Sequence, residues 1–202
     1  VLSGMQAHQA LDGISYGKGC AVIRMIANYL GIDTFMKGVS NYLKANTYGN
    51  AKTQSLWEHL GKASGKDVAT IPDPWINSHG SPVLTVQENP GQNEITLTQS
   101  RFLSSGDVTK EDDTTIWHIP LAIKGLAGGQ NAILSTKQQT FSGVDNEFYI
   151  VNADGIGFYR VNYPASRLAK LSTQLGKLSL SDKISIIGST SALAMAGASP
   201  VT

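Results

Sequence analysis

Hydrophobic positions along the chain follow two different periods. Between residues 14 and 78 apolar side chains recur every three or four positions, as they do on one face of a helix. In "ISYGKGCAVIRMIANYL" the series is Tyr16, Cys20, Ile23, Ala27 and Leu30, and Gly31 stands where a glycine ends a helix. Asp33 is a candidate cap for a second helix with Phe35, Val39, Tyr42 and Leu43 on one face. Thr53 is a candidate cap for a third, carrying Leu56, Trp57, Leu60 and Ala63 and closed by Gly65. A short fourth segment, "DPWINSHG", places Pro74 in a first turn.

From Ser81 the period changes to two. "PVLTVQE", "EITLTQSRF", "TTIWHIPLAIK", "NAILSTKQQTF", "NEFYIVN" and "GIGFYRVNY" alternate or run β-branched and aromatic, separated by turns rich in Gly, Asn and Asp. Short strands in this order predict an antiparallel sandwich, with "ADGIG" as a tight hairpin turn. From Pro164 the helical period returns. "PASRLAKLSTQLG" puts Leu168, Leu171 and Leu175 on one face, and Ser181 is a candidate cap for the helix that follows. Helices, then strands, then helices argue for separate modules and against a βαβ fold.

Composition removes several function classes. Sixteen Lys and Arg against fifteen Asp and Glu leave no basic excess for phosphates, so nucleic acid is not an expected partner. No apolar run reaches the ~20 residues that cross a bilayer as a helix, so no membrane partner is expected. The single cysteine, Cys20, forms no internal disulfide, which points to a reducing compartment and a cytoplasmic setting. Val1 follows no secretory pattern, and the chain reads as cut from a larger protein.

Metal and nucleophile motifs are missing. His8, His59, His79 and His118 form no H-E-x-x-H pair, and one cysteine cannot build a structural zinc site. There is no P-loop and no G-x-S-x-G elbow. Glu111, Asp112 and Asp113 fall in a turn between strands and read as a solvated loop. Tyr16 opens an apolar helix. From the residues alone, a tyrosine there is most simply a packing residue whose hydroxyl finds a partner.

The motif series adds to this. Ser15-Tyr16-Gly17-Lys18-Gly19, Tyr29-Leu30-Gly31, the stretch from Phe35 to Leu43, and Tyr48-Gly49-Asn50-Ala51 up to Leu56-Trp57 occur in order. "DPWINSHGSPVLTV", "GFYRVNY" and "LSLSDKISIIGSTSALAMAG" follow. Together they resemble the zinc aminopeptidases of the gluzincin class, the family of aminopeptidase N and puromycin-sensitive aminopeptidase. The resemblance implies a multi-domain fold: residues 1–80 as the α-helical end of a thermolysin-like catalytic domain, residues 81–163 as an antiparallel β-sandwich, and residues 164–202 as the beginning of an α-helical domain. It implies removal of N-terminal residues from peptides by a zinc-activated water. Tyr16 is then the catalytic residue, a phenol donating a hydrogen bond to the oxyanion.

The family's zinc ligands and amine-recognition loop precede that tyrosine and are absent. The expectation is a parent enzyme with zinc as cofactor, and a chain that holds no metal and is inactive alone. The expected partners are peptide substrates through the parent, the remaining domains of the same protein, and other copies of the isolated chain. The rival reading is a non-catalytic binding or scaffolding module derived from such an enzyme.

Overall fold

The computed structural model describes residues 13–198, except Lys110, Ala127, Gln130 and Asn131. The chain opens with helix α1 (Gly13–Leu30), α2 (Ile32–Ala45), α3 (Thr53–Ser64) and the short α4 (Pro72–Asn77). Gly31 separates the first two helices at φ 81°, a value that excludes most side chains. It also serves as the N-terminal flank of α2, so Asp33 lies inside the first turn, where its charge favours the helix dipole, and is not the cap. Thr53 is likewise the first residue of α3, after Lys52, and supplies no side-chain cap. Gly65 closes α3 in the left-handed conformation, its N–H 2.8 Å from the Gly61 carbonyl.

The buried face of α1 differs from the predicted one. Val22, Met25, Ile26 and Leu30 are buried, whereas Tyr16, Cys20 and Ile23 are exposed. The helix is apolar on two stripes, and periodicity alone does not select the one that meets the core. On α2 the predicted face loses Leu43, which is exposed. That helix instead approaches α3 through Gly38, where an added Cβ would stand 2.7 Å from Leu60 Cδ2 and 3.0 Å from its Cα.

Strands β1 (Ser81–Asn89) and β2 (Glu94–Phe102) pair antiparallel around a turn at Pro90–Gln92. β3 (Ile119–Pro120), β4 (Ile123–Lys124), β5 (Ile133–Leu134), β6 (Gln138–Ser142), β7 (Ile150–Val151) and β8 (Arg160–Asn162) follow. The main sheet has the order β6-β2-β1-β8, and β3 with β5 and β4 with β7 form two-stranded sheets. The expectation of an antiparallel arrangement throughout fails at one edge, where β8 runs parallel to β1. "ADGIG" is not a hairpin, because β7 and β8 belong to different sheets. Asn152 organises this turn: its carboxamide accepts from Gly157 N at 2.7 Å and donates to Gly157 O at 3.0 Å. The Tyr163 hydroxyl then bridges back to β7, accepting from Val151 N and donating to Val151 O, both at 2.8 Å.

One hydrophobic cluster runs from Met25 and Ile26 of α1 through Trp75 to Leu84, Leu97, Ile119 and Val151 of the strands and to Trp117 just before β3. Trp75 is the joint. Its ring lies 6.3 Å from Trp117 and 6.0 Å from Phe158, distances at which aromatic pairs attract. Gln99 is fully buried inside this region and closes three hydrogen bonds, to Trp117 N, Trp117 O and Thr136 O. A buried amide so satisfied holds the irregular stretch after β2 in register.

Helices α5 (Ala165–Ser172) and α6 (Leu180–Met195) end the described chain. Leu175 falls in a separate turn past α5 and is exposed, so the predicted face of three leucines is shared by only two. The cap of α6 is Ser179, two residues before the predicted Ser181. Ser179 and Asp182 form a reciprocal capping box. Asp182 also accepts from Asp154 N at 2.7 Å and from Lys124 Nζ at 2.8 Å, which ties α6 to the strands. A second tie runs from Arg167 on α5 to Glu88 on β1, Nε to Oε1 at 2.6 Å.

Candidate functional site

Tyr16 sits in the first turns of α1, and its side chain is 66% exposed. Among the described residues its hydroxyl has no hydrogen-bond partner, and no aromatic contact holds its ring. The packing reading suggested by the residues alone therefore finds no support among the described side chains. The apolar stripe that continues along the helix through Cys20 and Ile23 is open as well.

Two residues further on, Lys18 turns inward. Its Nζ donates to the Ser78 carbonyl at 2.9 Å, joining α1 to the segment that leads from α4 into β1. Burial lowers the pKa of this ammonium, and the nearby Arg101 charge lowers it further. Arg101 itself is buried on β2. It donates to the carbonyls of His79 and Asp112 and to Thr115 Oγ1, and its backbone N–H donates to Asp113 Oδ1 at 2.7 Å. Asp113 also pairs with Lys137 at 2.5 Å. The acidic turn is thus only partly the solvated loop expected: Asp113 anchors a strand, while Asp112 is held below the usual carboxylate range by its hydrogen bonds with Thr109.

An open cleft of about 680 Å³ lies beside Lys18, bounded by His79, Phe102, Phe158, Tyr159 and Arg160. Arg160 stands on β8 with its guanidinium 4.9 Å from the Phe102 ring centre, and Nη1 donates to Gly188 O at 3.2 Å. Burial lowers its pKa. Neither Gln99, Arg101, Arg167 nor Asp182 carries a sequence signal of burial. Their burial is set by partners far along the chain, and Asp182 alone also has a near one in the Ser179 capping box.

The described histidines join no cluster of three metal-ligating side chains. His59 Nδ1 lies 2.7 Å from Ser55 O within α3, and His79 faces the cleft; His8 lies outside the described residues. Among the described residues no three His, Cys, Asp or Glu side chains converge to hold a metal ion, so those residues do not fit a zinc site. No described helix is long and apolar enough to cross a membrane.

The helical opening that presents Tyr16 and the stretch from just before β7 onward each match a known family. Residues 1–75 match the peptidase family M1 domain, and residues 148–202 match the ERAP1-like C-terminal domain. The chain belongs to peptidase family M1. It is 44% identical over 198 residues to the alanine/arginine aminopeptidase of Saccharomyces cerevisiae, an alignment that takes in 98% of this chain and 23% of the yeast protein. It is 40% identical over 196 residues to aminopeptidase 2 of Candida albicans, covering 95% of this chain and 21% of that protein. With the mitochondrial aminopeptidase 2 of Saccharomyces cerevisiae the identity is 39% over 198 residues, covering 98% and 21%. The chain therefore spans less than a quarter of the length of these relatives.

Proposed function

We propose that this segment belongs to a longer metallo-aminopeptidase that removes N-terminal residues from peptides, and that Tyr16 serves its chemistry. One observation carries the reading. The tyrosine of the Ser-Tyr-x-Lys-Gly segment stands exposed near the start of α1, in a region that matches the M1 peptidase domain. A phenol so placed donates its proton in a hydrogen bond to the oxygen that gains negative charge when water adds to the scissile carbonyl. The zinc of the family supplies a polarised water when bound, and its ligands belong to parts of the protein other than the described residues.

Residues 1–80 are then the end of the catalytic domain, residues 81–163 a β-sandwich spacer, and residues 164–202 the start of the C-terminal helical domain. A core shared by the main sheet and the small sheets supports a layered β unit in the second, and that core also takes in Met25, Ile26 and Trp75 of the first. The family match over residues 148–202 takes in the whole of the third and begins inside the second. We place the protein in the cytoplasm on its single cysteine, although one relative carries a mitochondrial name.

The decisive experiment is Tyr16→Phe in the full-length protein, assayed with an aminoacyl fluorogenic substrate. A fall in kcat of about 10²–10³ is expected for loss of one oxyanion donor. An unchanged kcat removes Tyr16 from the mechanism. A wild-type protein that hydrolyses nothing favours the scaffolding reading.

A further inference from the structure

The cleft between α1, β2 and β8 joins two features. Its floor is aromatic, with Phe102, Phe158 and Tyr159, and its rim is cationic, with Lys18, His79 and Arg160. Lys18 and Arg160 are partly withdrawn from water, yet among the described residues neither has a carboxylate within ion-pairing distance. Lys124, Lys137, Arg167 and Lys170 all do, and the buried Arg101 instead spends its guanidinium on the His79 and Asp112 carbonyls and Thr115 Oγ1. A half-buried cation without a counter-ion is costly, because desolvation is not offset by attraction to an opposite charge. The lowered pKa values of both groups express the same deficit.

Each cation retains free donors. Lys18 uses one of its three N–H groups on Ser78 O, and Arg160 uses one of five on Gly188 O. The opening has the size of a small-ligand site, within the ~300–1,000 Å³ usual for such clefts. Gly157 lets the Tyr159 ring lie against the backbone beside it, since an added Cβ there would collide with the ring.

We propose that this cleft binds a carboxylate-bearing peptide segment, with Arg160 and Lys18 engaging the carboxylate and the aromatic floor receiving the adjoining side chain. The proposal rests on the peptidase reading for its choice of a peptide: Gly17 and Lys18, which line the cleft, directly follow Tyr16 in α1, and Tyr16 itself lies outside the lining. The carboxylate comes either from an acidic side chain or from the peptide's C-terminus, and the two sources share one chemistry.

The test uses the full-length protein and N-acetylated peptides, which bind without being cleaved. Binding is measured by calorimetry for a peptide with a glutamate side chain and an amidated end, for one with neutral side chains and a free C-terminal carboxylate, and for a neutral amide. At least one carboxylate peptide is expected to bind about tenfold more tightly than the amide, and the one that does identifies the source. The advantage should shrink at high salt. Arg160→Gln should remove it, and Arg160→Lys should restore most of it. Equal binding of all three peptides by the wild-type protein overturns the proposal without any variant, as it would if a carboxylate of the protein itself occupied the cleft. An Arg160→Gln protein that folds, by its urea transition, and keeps the preference overturns it too. Hydrolysis of a small aminoacyl substrate is measured separately. Its absence would count against the peptidase reading and leave the binding result to stand or fall alone.

Discussion

Lys124 Nζ lies 2.8 Å from Asp182 Oδ2, although 58 residues separate the two in sequence. Asp182 is fully buried and Lys124 about one-third exposed, so the pair is unequal. Removing the lysine leaves a carboxylate in the interior with only backbone and hydroxyl donors. Lys124→Met should therefore cost about 3 kcal/mol, the range for breaking a buried pair. Asp154, the second partner of Lys124, is 44% exposed, and Asp154→Asn should cost no more than about 1 kcal/mol. Urea unfolding of both variants checks the order; equal losses would contradict it.

The same pair sets a pH window. Burial by itself would raise the pKa of Asp182, but hydrogen bonds from Lys124, Asp154 N–H and Ser179 outweigh it and hold the carboxyl below 3.8. Burial would lower Lys124, and its two carboxylate partners outweigh that and raise it above 10.5. A depressed acid contributes stability above its unfolded pKa and loses it as pH falls through the folded value. A raised base contributes below its unfolded pKa and loses it as pH rises through the folded value. The contribution should be flat between pH 3.8 and 10.5 and decline outside. In the Lys124→Met variant the decline at high pH should disappear, as followed by the urea midpoint.

Arg167 is 3% exposed, pairs with Glu88, and lies with its guanidinium 4.1 Å from the Tyr149 ring centre. Tyr149 donates to the same Glu88 oxygen at 2.8 Å, and burial, then that carboxylate, push its pKa well up. Arg167→Met removes the cation and leaves Glu88 facing the phenol. A loss of about 2–4 kcal/mol is expected, with coupling to Glu88→Gln in a double-mutant cycle. Additive losses would show that the two side chains act independently.

Two helical glycines should respond in opposite directions. Gly38→Ala drives a methyl group against Leu60, whose backbone cannot yield, and should cost about 1–3 kcal/mol by overpacking. Gly188→Ala on α6 meets nothing within 4 Å and should gain about 0.5–1 kcal/mol from helix propensity. Thermal unfolding of the pair separates contact from propensity.

Leu180, Ile184 and Ile187 are all exposed on α6, spaced as one stripe. Exposed apolar stripes promote association. The isolated chain should form oligomers by light scattering, and Ile184→Lys with Ile187→Lys should reduce them while leaving stability within about 0.5 kcal/mol. A monomeric wild-type chain at high concentration would refute this.

Helix existence was legible because i, i+3 and i, i+4 spacing is a local property. Gly31 and Gly65 marked their helix ends for the same local reason. The motif around Tyr16 was legible because it is short and local, and the structure adds that Tyr16 is exposed. The buried face of α1 was not, because Val22-Met25-Ile26 and Tyr16-Cys20-Ile23 are both apolar stripes, and only the packing of Trp75 and the strands against the first distinguishes them. The cleft was invisible for a similar reason: Lys18 and Arg160 meet across most of the chain.

What the sequence determined by itself was the order of helices and strands, the motif that holds Tyr16, and the turns that only glycine permits. These depend on backbone sterics and on neighbours within a few residues. The tertiary structure alone decided that β8 runs parallel to β1, that Gln99, Arg167 and Asp182 lie inside, and that two half-buried cations share one opening. Burial and pairing are settled by partners distant in the chain, and a polar residue carries no local mark of the partner that makes its burial tolerable.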